Sequence, residues 1–183
     1  MNLARVFDRA LAALPLEDVP LLEGELRIDE GSGGTISIEP SLLERLSTRA
    51  FKDISRYLGR AQLEFLRRAA DSSGDDNEVF VLESLIENAE VSSRTPLPLC
   101  QDTGTATIFA VKDEGILCGG GEREALERGA AKAWEDGFLR SSQNLPEDLY
   151  RERDSGTNLP AQLHIEGGWT PVAETGPRYR FLF

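Results

Sequence analysis

The stretch that most constrains this sequence is residues 96–111, which read PLPLCQDTGTATIFAV. Two prolines lead to a cysteine, a glutamine and an aspartate follow it, and a Thr-Gly-Thr turn precedes an apolar run. The apolar run predicts a strand over roughly residues 105–111. Core packing does not call for a thiol, an amide and a carboxylate directly before a strand, because amides and carboxylates are rarely buried without partners. This order of residues therefore predicts a functional site at the entrance to the strand.

Helical and strand patterns alternate along the chain and predict a mixed α/β fold, in which mostly antiparallel strands pack with several helices. A hairpin is predicted over residues 25–38, because apolar residues alternate on both sides of a glycine-rich turn. Residues 116–118 are expected to pair back on the preceding strand, and Gly59 is expected to weaken the longest helix. The predicted helices cover residues 3–14, 41–70, 77–89 and a segment that opens at 119–122 and runs to 139, and the remaining strands cover 162–166 and 178–183.

The expected starts of the helices rest on particular residues. Ser41 is followed three positions later by Glu44, which fits a capping box at the start of the longest helix. Asn77 or Asp76 is expected to cap the next helix. Pro146 is expected to open a short helix, because proline suits the first helical position.

Composition limits the possible partners of the chain. Its 183 residues suit a single domain, and 20 basic against 32 acidic side chains give a formal net charge of −12. That charge argues against a nucleic-acid surface, and an anionic substrate would need a few cations placed locally. No apolar run approaches the roughly 20 residues of a membrane span, and the amino terminus lacks the pattern of a signal peptide. Cys100 and Cys118 do not make a disulfide framework, so a cytoplasmic location is expected.

Cys100 and Asp102 each allow a chemical and a structural interpretation. As a thiolate, Cys100 is a soft metal ligand or a nucleophile; as a thiol, it is a common buried apolar residue. A nucleophile would need a base, and His164 is the only histidine, so a thiol hydrolase is one hypothesis. Asp102 could transfer a proton or simply hold the Thr-Gly turn that follows it.

Later polar residues are equally open to two interpretations. Arg140 could bind a carboxylate through two parallel hydrogen bonds, or it could complement the dipole at a helix end. The three glycines at 119–121 could present amides to an anion or form a tight turn. Asn158 could orient a substrate or stabilise the turn of its own loop. Cys118 ends a short apolar stretch without polar neighbours, so it is expected to be structural.

Together these stretches resemble the class I, iron–sulfur-dependent fumarate hydratases (fumarases) and the related tartrate dehydratases. The resemblance is strong over residues 90–183 and weaker over the helices between residues 41 and 90. The hairpin at 25–38 has no place in the family pattern. The matching stretches are LCQDTGTA at 99–106, GGGEREALERGAAKAWEDGFLRSSQNLPEDLYRE at 119–152, GTNLPAQ at 156–162 and the final YRFLF.

The resemblance implies a mechanism. In that family three cysteines hold a [4Fe–4S] cluster and leave one iron open to act as a Lewis acid. Cys100 matches the first of these metal ligands, Gln101 and Asp102 match residues that bind the dicarboxylate substrate, and Asp102 also matches a group that handles a proton. Arg140 matches the arginine that grips a substrate carboxylate. The implied reaction is the hydration of fumarate to malate, a step of the tricarboxylic acid cycle, or the dehydration of tartrate or a related hydroxy-diacid.

The sequence also departs from the family pattern. The other two cluster cysteines fall in the carboxy-terminal part of the family, which has no match here, and Cys118 does not replace them. The chain therefore resembles a truncated amino-terminal domain over residues 1–183, with residues 1–40 as an appendage of uncertain match. We expect it to be inactive alone and to need the missing carboxy-terminal region or a companion β subunit, in a parent enzyme that can form a homodimer. A non-catalytic binding or assembly domain is the other hypothesis.

Overall fold

A computed structural model describes residues 22–29, 34–168 and 177–183, and within these ranges it has four helices and eight strands, of which β5 and β6 were not predicted. The helix predicted at 3–14 lies outside the described residues. The mixture of helices and small mixed sheets confirms the α/β prediction. The helices are α1 (Pro40–Arg56), α2 (Arg60–Ser72), α3 (Asp76–Arg94) and α4 (Glu122–Asp136). The strands are β1 (Leu26–Asp29), β2 (Thr35–Ile38), β3 (Thr107–Asp113), β4 (Ile116–Leu117), β5 (Asn144–Pro146), β6 (Glu152–Asp154), β7 (Gln162–Gly168) and β8 (Tyr179–Leu182).

Strand β3 is the centre of the sheet that supports the candidate site. It pairs in parallel with β7, with Thr107 opposite Gln162, and antiparallel with β8, with Lys112 opposite Tyr179. A second sheet has the order β1-β2-β4, and β5 pairs with β6 in a small antiparallel ribbon. Three of the five pairings among the described strands are antiparallel, which agrees with the sequence-based expectation.

The expected partner of the strand at 116–118 was wrong. Strand β4 runs parallel to β2, with Ile36 opposite Ile116, and does not pair back on β3. The backbone N–H of Ile36 also donates to the carbonyl of Gly115 at 2.8 Å, which ties the turn to β2. Both edges of β3 are already occupied by β7 and β8, so the chain must leave that sheet after Asp113.

The single long helix predicted from residue 41 to 70 is two helices. Helix α1 ends at Arg56, and Gly59 precedes α2 in an extended conformation, with φ −60° and ψ 150°. Gly59 was expected to weaken a continuous helix, but the helix is interrupted completely at this position. The side chain of Gln62 accepts a hydrogen bond from the Gly59 N–H at 3.0 Å, so Gly59 acts as the N-cap residue of α2.

Several predicted helix starts were also wrong, for reasons of tertiary contact. Ser41 does not cap α1: its hydroxyl donates to Glu25 Oε1 at 3.0 Å, and the helix begins one residue earlier. Asp75, rather than Asp76 or Asn77, caps α3 by accepting the N–H of Asn77 at 2.8 Å. Pro146 ends β5 and opens no helix.

The core lies between helices α1 and α4 and one face of the β7-β3-β8 sheet. The two helices approach closely at Gly129, where a Cβ atom would lie 2.4 Å from the carbonyl oxygen of Glu44. The buried hydroxyl of Ser47 donates to the carbonyl of Leu126 at 2.8 Å across the same contact. These contacts hold α4 against α1. The largest buried cluster includes Leu43, Phe51, Ile108, Leu126, Ala133 and Leu163.

Helices α2 and α3 pack against each other beside this core. They leave large apolar side chains exposed, Phe65 on α2 and Phe80 on α3 among them. Of the helices described, none is both long enough and apolar enough to cross a membrane.

Candidate functional site

An open cleft of about 380 Å³ lies where the chain enters β3. Cys100 and Asp102 line it, and both side chains are exposed. Part of its lining is aromatic: the buried ring of Phe51 packs edge-on against Trp134 and Phe183, with ring centroids 5.3 Å apart in both pairs. The cleft therefore combines an apolar wall with a thiol and a carboxylate at its mouth.

Strand topology explains why the predicted motifs meet here. Because β3 and β7 are parallel, the loops that precede them lie side by side at one edge of the sheet. The backbone N–H of Gln162 donates to the carbonyl of Ala106 at 2.8 Å and joins the two loops directly. The Cys100 segment and the Asn158 loop, which the sequence separates by more than fifty residues, therefore become neighbours.

The segment that leads to Cys100 is held by two helices. The backbone N–H of Leu99 donates to the carbonyl of Ser55 on α1 at 2.8 Å, and the side chain of Asn88 on α3 donates to the Leu99 carbonyl at 2.9 Å. One turn further along α3, the hydroxyl of Ser92 donates to the carbonyl of Leu97 at 2.8 Å. The position of Cys100 is thus set by packed helices rather than by its own loop alone.

Asp102 lines the cleft and forms an ion pair with Arg140, which is not itself among the lining residues. Backbone contacts support it: the N–H of Arg140 donates to the carbonyl of Gln101 at 3.1 Å, and the hydroxyl of Thr103 donates to the carbonyl of Arg140 at 2.8 Å. Both charged side chains are well exposed, and exposed ion pairs contribute only about 0–1 kcal/mol to stability. The ion pair therefore contributes little to the stability of the fold. Its importance is that it keeps the Asp102 carboxylate and the Arg140 guanidinium next to each other.

The candidate residues named from the sequence occupy one region. Cys100, Asp102 and Arg140 gather there, and Gln101 joins them through its backbone and through a long 3.4 Å bond from its side chain to the carbonyl of Phe138. Sequence reasoning missed Trp134, whose indole N–H donates to the hydroxyl of Thr103 at 3.1 Å. No pattern in the sequence indicates that contact, because it depends on how α4 docks.

Asn158 is buried, so its side chain is not exposed to a substrate. It bonds to the backbone of the two loops that carry Asp102 and Arg140. His164 lies on β7, where its ring stacks on Phe109 with centroids 5.0 Å apart. Among the described residues no hydrogen bond links it to Cys100, and the thiol hydrolase hypothesis gains no support from the geometry.

Cys118 has a different environment from Cys100. It is buried after β4, and burial, assisted by the nearby Glu122 carboxylate, raises the pKa of its thiol to about 12. Burial also acts to raise the pKa of Glu122, but hydrogen bonds from Tyr179, Lys112 and Cys118 outweigh it, and that pKa lies below its ordinary value. Cys118 is therefore held as a neutral thiol, and the expectation that it lacks polar neighbours was wrong, because the Glu122 side chain hydrogen-bonds to it.

The three glycines before α4 form a turn rather than an evident anion site. Their φ angles are +60°, +87° and +71°, which suit glycine. The Glu122 carboxylate follows them at the start of the helix. The part of the chain that the structure describes contains no group of three His, Cys, Asp or Glu side chains able to hold a metal ion.

Comparison with known proteins gives one consistent result. Residues 44–180 match the family described as fumarate hydratase (Fumerase). The chain is 38% identical over 149 residues to mitochondrial fumarate hydratase 1 of Leishmania major, covering 81% of this chain and 26% of that protein. It is 36% identical over 148 residues to the anaerobic class I fumarate hydratase of Escherichia coli K12, covering 80% of this chain and 26% of that protein. The chain thus spans about a quarter of the length of these relatives.

Proposed function

Because the chain belongs to the fumarate hydratase (Fumerase) family, we propose that it forms part of a hydro-lyase that reversibly adds water to fumarate to give malate. The observation that carries this proposal is the Asp102–Arg140 ion pair beside the exposed thiol of Cys100. A dicarboxylate substrate needs a cation, and this cleft offers one in a chain whose formal charge is −12.

The side chains at the cleft have complementary roles in this proposal. The planar guanidinium of Arg140 can bind a substrate carboxylate through two parallel hydrogen bonds. Its present partner Asp102 would then be released to hydrogen-bond the substrate hydroxyl and to handle a proton. The side-chain amide of Gln101, held at present only by a long bond, is able to turn toward a bound carboxylate.

The iron–sulfur cluster expected for the family fits this chain only in part. Cys100 is an exposed soft donor at the cleft and suits one iron corner. The described residues provide no complete metal-binding group, and the buried neutral thiol of Cys118 is not a substitute. A [4Fe–4S] cluster would therefore need donors from the rest of the enzyme.

This incomplete ligand set leads to proposals about the whole protein. The 183-residue chain alone is inactive and works with a carboxy-terminal region or companion β subunit, in an assembly that can be a homodimer. A reducing compartment such as the cytoplasm suits both the free thiol and an oxygen-sensitive centre. Dehydration of tartrate or a related hydroxy-diacid is the second candidate reaction, since the same thiol and guanidinium suit any small hydroxy-diacid.

The test is turnover by the complete protein, assembled with iron and sulfide without oxygen. We expect hydration of fumarate that exceeds dehydration of tartrate, loss of both activity and cluster absorbance in Cys100→Ala, and no activity from the 183-residue chain alone. Cys118→Ala is the matched thiol control and keeps both signals. Turnover of tartrate alone would favour the second reaction, and turnover of neither substrate would favour a non-catalytic binding or assembly domain.

A further inference from the structure

Asn158 is a buried polar residue with an unusual backbone conformation. Its relative exposure is 1%, and its φ angle is +55°. Asparagine tolerates this left-handed region better than most residues, but it is still an uncommon conformation outside glycine. A residue in such a conformation persists where its surroundings hold it firmly, so the contacts of its side chain are informative.

The side chain of Asn158 joins the two loops that carry the ion pair. Its Oδ1 atom accepts the backbone N–H of Ser142 at 3.0 Å, and its Nδ2 atom donates to the carbonyl of Gly104 at 3.0 Å. Gly104 lies two residues after Asp102, and Ser142 lies two residues after Arg140. The Asn158 amide therefore connects the two loops at positions two residues after Asp102 and two residues after Arg140.

The two loops depend on this bridge to different degrees. The loop of Asp102 is fixed at one end by the bonds of Leu99 to α1 and α3 and at the other by its entry into β3. The loop of Arg140 follows the end of α4 and is held by contacts with the Asp102 loop, with Asn158 and, further along, with Asp154 and Ser155. Loss of the bridge is therefore expected to move Arg140 more than Asp102.

We propose that Asn158 is a positioning residue that sets the place of Arg140 relative to Asp102 for binding of a substrate carboxylate. This inference rests on the proposed function, because it assigns Arg140 to substrate binding. Asn158 does not touch the substrate; it acts through Ser142 and Gly104. A merely structural role would lower stability without changing the affinity for substrate.

The test compares Asn158→Gly with Ser47→Ala in the complete protein. Glycine accepts the positive φ without strain and removes both hydrogen bonds of the bridge. Ser47→Ala removes a different buried polar contact, between α1 and α4, away from the cleft. We expect Asn158→Gly to raise KM for fumarate about tenfold while kcat falls by less than about threefold, and Ser47→Ala to leave both unchanged. If Asn158→Gly changes KM no more than Ser47→Ala does, the proposal is wrong.

A second measurement on the 183-residue chain does not depend on activity. The backbone N–H of Arg140 is bonded to the carbonyl of Gln101 across the two loops, so its hydrogen exchange reports their separation. Exchange of that amide should accelerate about tenfold in Asn158→Gly and stay at the wild-type rate in Ser47→Ala. An unchanged rate in Asn158→Gly overturns the inference. If that rate changes as expected but the complete wild-type protein turns over no diacid, the bridge stands and the proposed function fails.

Asn158→Asp covers the case in which the glycine variant does not fold. The aspartate keeps an acceptor for the Ser142 N–H and tolerates the positive φ, but it places an oxygen opposite the carbonyl of Gly104. It should raise KM in the same direction. A wild-type KM in a folded Asn158→Asp variant contradicts the proposal.

Discussion

Asp102 and Arg140 form an ion pair although 38 residues separate them in the sequence. The intervening chain passes through β3, β4 and the whole of α4 before it returns to the same cleft. The side chains meet because α4 ends beside the entrance to β3, where Trp134 donates to the hydroxyl of Thr103. The candidate site is therefore a product of helix packing as much as of the motif around Cys100.

The first prediction concerns the shape of the Arg140 side chain. Arg140→Lys keeps the positive charge but loses the planar fork that binds a carboxylate at two points, so we expect KM for fumarate to rise about 10- to 100-fold. Steady-state kinetics of the complete protein measures this. Arg128→Lys is the matched control, because Arg128 is an exposed arginine of α4 that pairs with Glu44, whereas Arg140 pairs with the cleft residue Asp102. Equal KM values for the two variants would remove Arg140 from substrate binding.

Local pattern was enough to predict elements whose signal is local. The antiparallel pairing of β1 and β2 was predicted from alternation on both sides of a glycine-rich turn, and Leu26 does lie opposite Ile38. Strand β3 was also predicted, although it begins at Thr107 and continues to Asp113, two residues beyond the expected end. These strands could be predicted because burial of one or both faces of a strand produces an alternating or continuous run of apolar residues in the sequence.

Long-range contacts account for the failures. The capping box at Ser41 was wrong because its hydroxyl bonds to the buried carboxylate of Glu25, which Arg45 also holds. The partner of β4 was wrong because a parallel pairing with β2 has no local signature. In the site, the sequence and its family resemblance indicated Cys100 and its neighbours, whereas the bridge made by Asn158 depends on two loops that only the folded chain brings together.

The second prediction distinguishes the two thiols in the folded 183-residue chain. Cys100 is exposed, whereas Cys118 is buried and its pKa is raised to about 12 by burial and the nearby Glu122 carboxylate. The thiolate is the reactive form, so iodoacetamide at neutral pH should label Cys100 and leave Cys118 unmodified. Peptide mass spectrometry identifies the labelled site. Labelling in denaturant, where both thiols should react, is the control, and modification of Cys118 in the folded chain would contradict its burial.

The third prediction concerns the contact of α1 with α4. Alanine favours a helix over glycine by about 1 kcal/mol, but a Cβ at Gly129 would lie 2.4 Å from the carbonyl oxygen of Glu44. Overpacking of this kind typically costs about 1–3 kcal/mol and involves backbone that cannot easily move, so it should outweigh the gain in propensity. We expect Gly129→Ala to lower the free energy of unfolding by about 2 kcal/mol in urea titrations.

Gly74 provides the control for that experiment. It lies between α2 and α3, and a Cβ there would meet no atom within 4 Å. Gly74→Ala should be neutral or stabilise the chain by up to about 1 kcal/mol, because it restricts the unfolded state. Equal stabilities of the two variants would mean that α1 and α4 are not in close contact at Gly129.

The fourth prediction is a loss of stability at alkaline pH that depends on Cys118. Its pKa rises from an ordinary value of 9.0 to about 12 in the folded chain, mainly through burial. Between these values the unfolded thiol loses its proton while the folded one keeps it, so the unfolded state binds fewer protons and stability falls as pH rises. The contribution is fully present below about pH 9 and is lost toward about pH 12, with a slope that approaches about 1.4 kcal/mol per pH unit.

Urea unfolding at about pH 8 and about pH 10.5 measures this effect, and Cys118→Ala should lose less stability between the two values than the wild type does. Burial and the Glu122 carboxylate raise the pKa of Tyr179 as well, but that tyrosine is present in both proteins and contributes to both slopes. Ser47→Ala removes a buried hydroxyl that does not titrate, so it should keep the wild-type slope despite its lower stability. A slope for Cys118→Ala equal to that of Ser47→Ala would show that the Cys118 thiol ionises as readily in the folded chain as in the unfolded one.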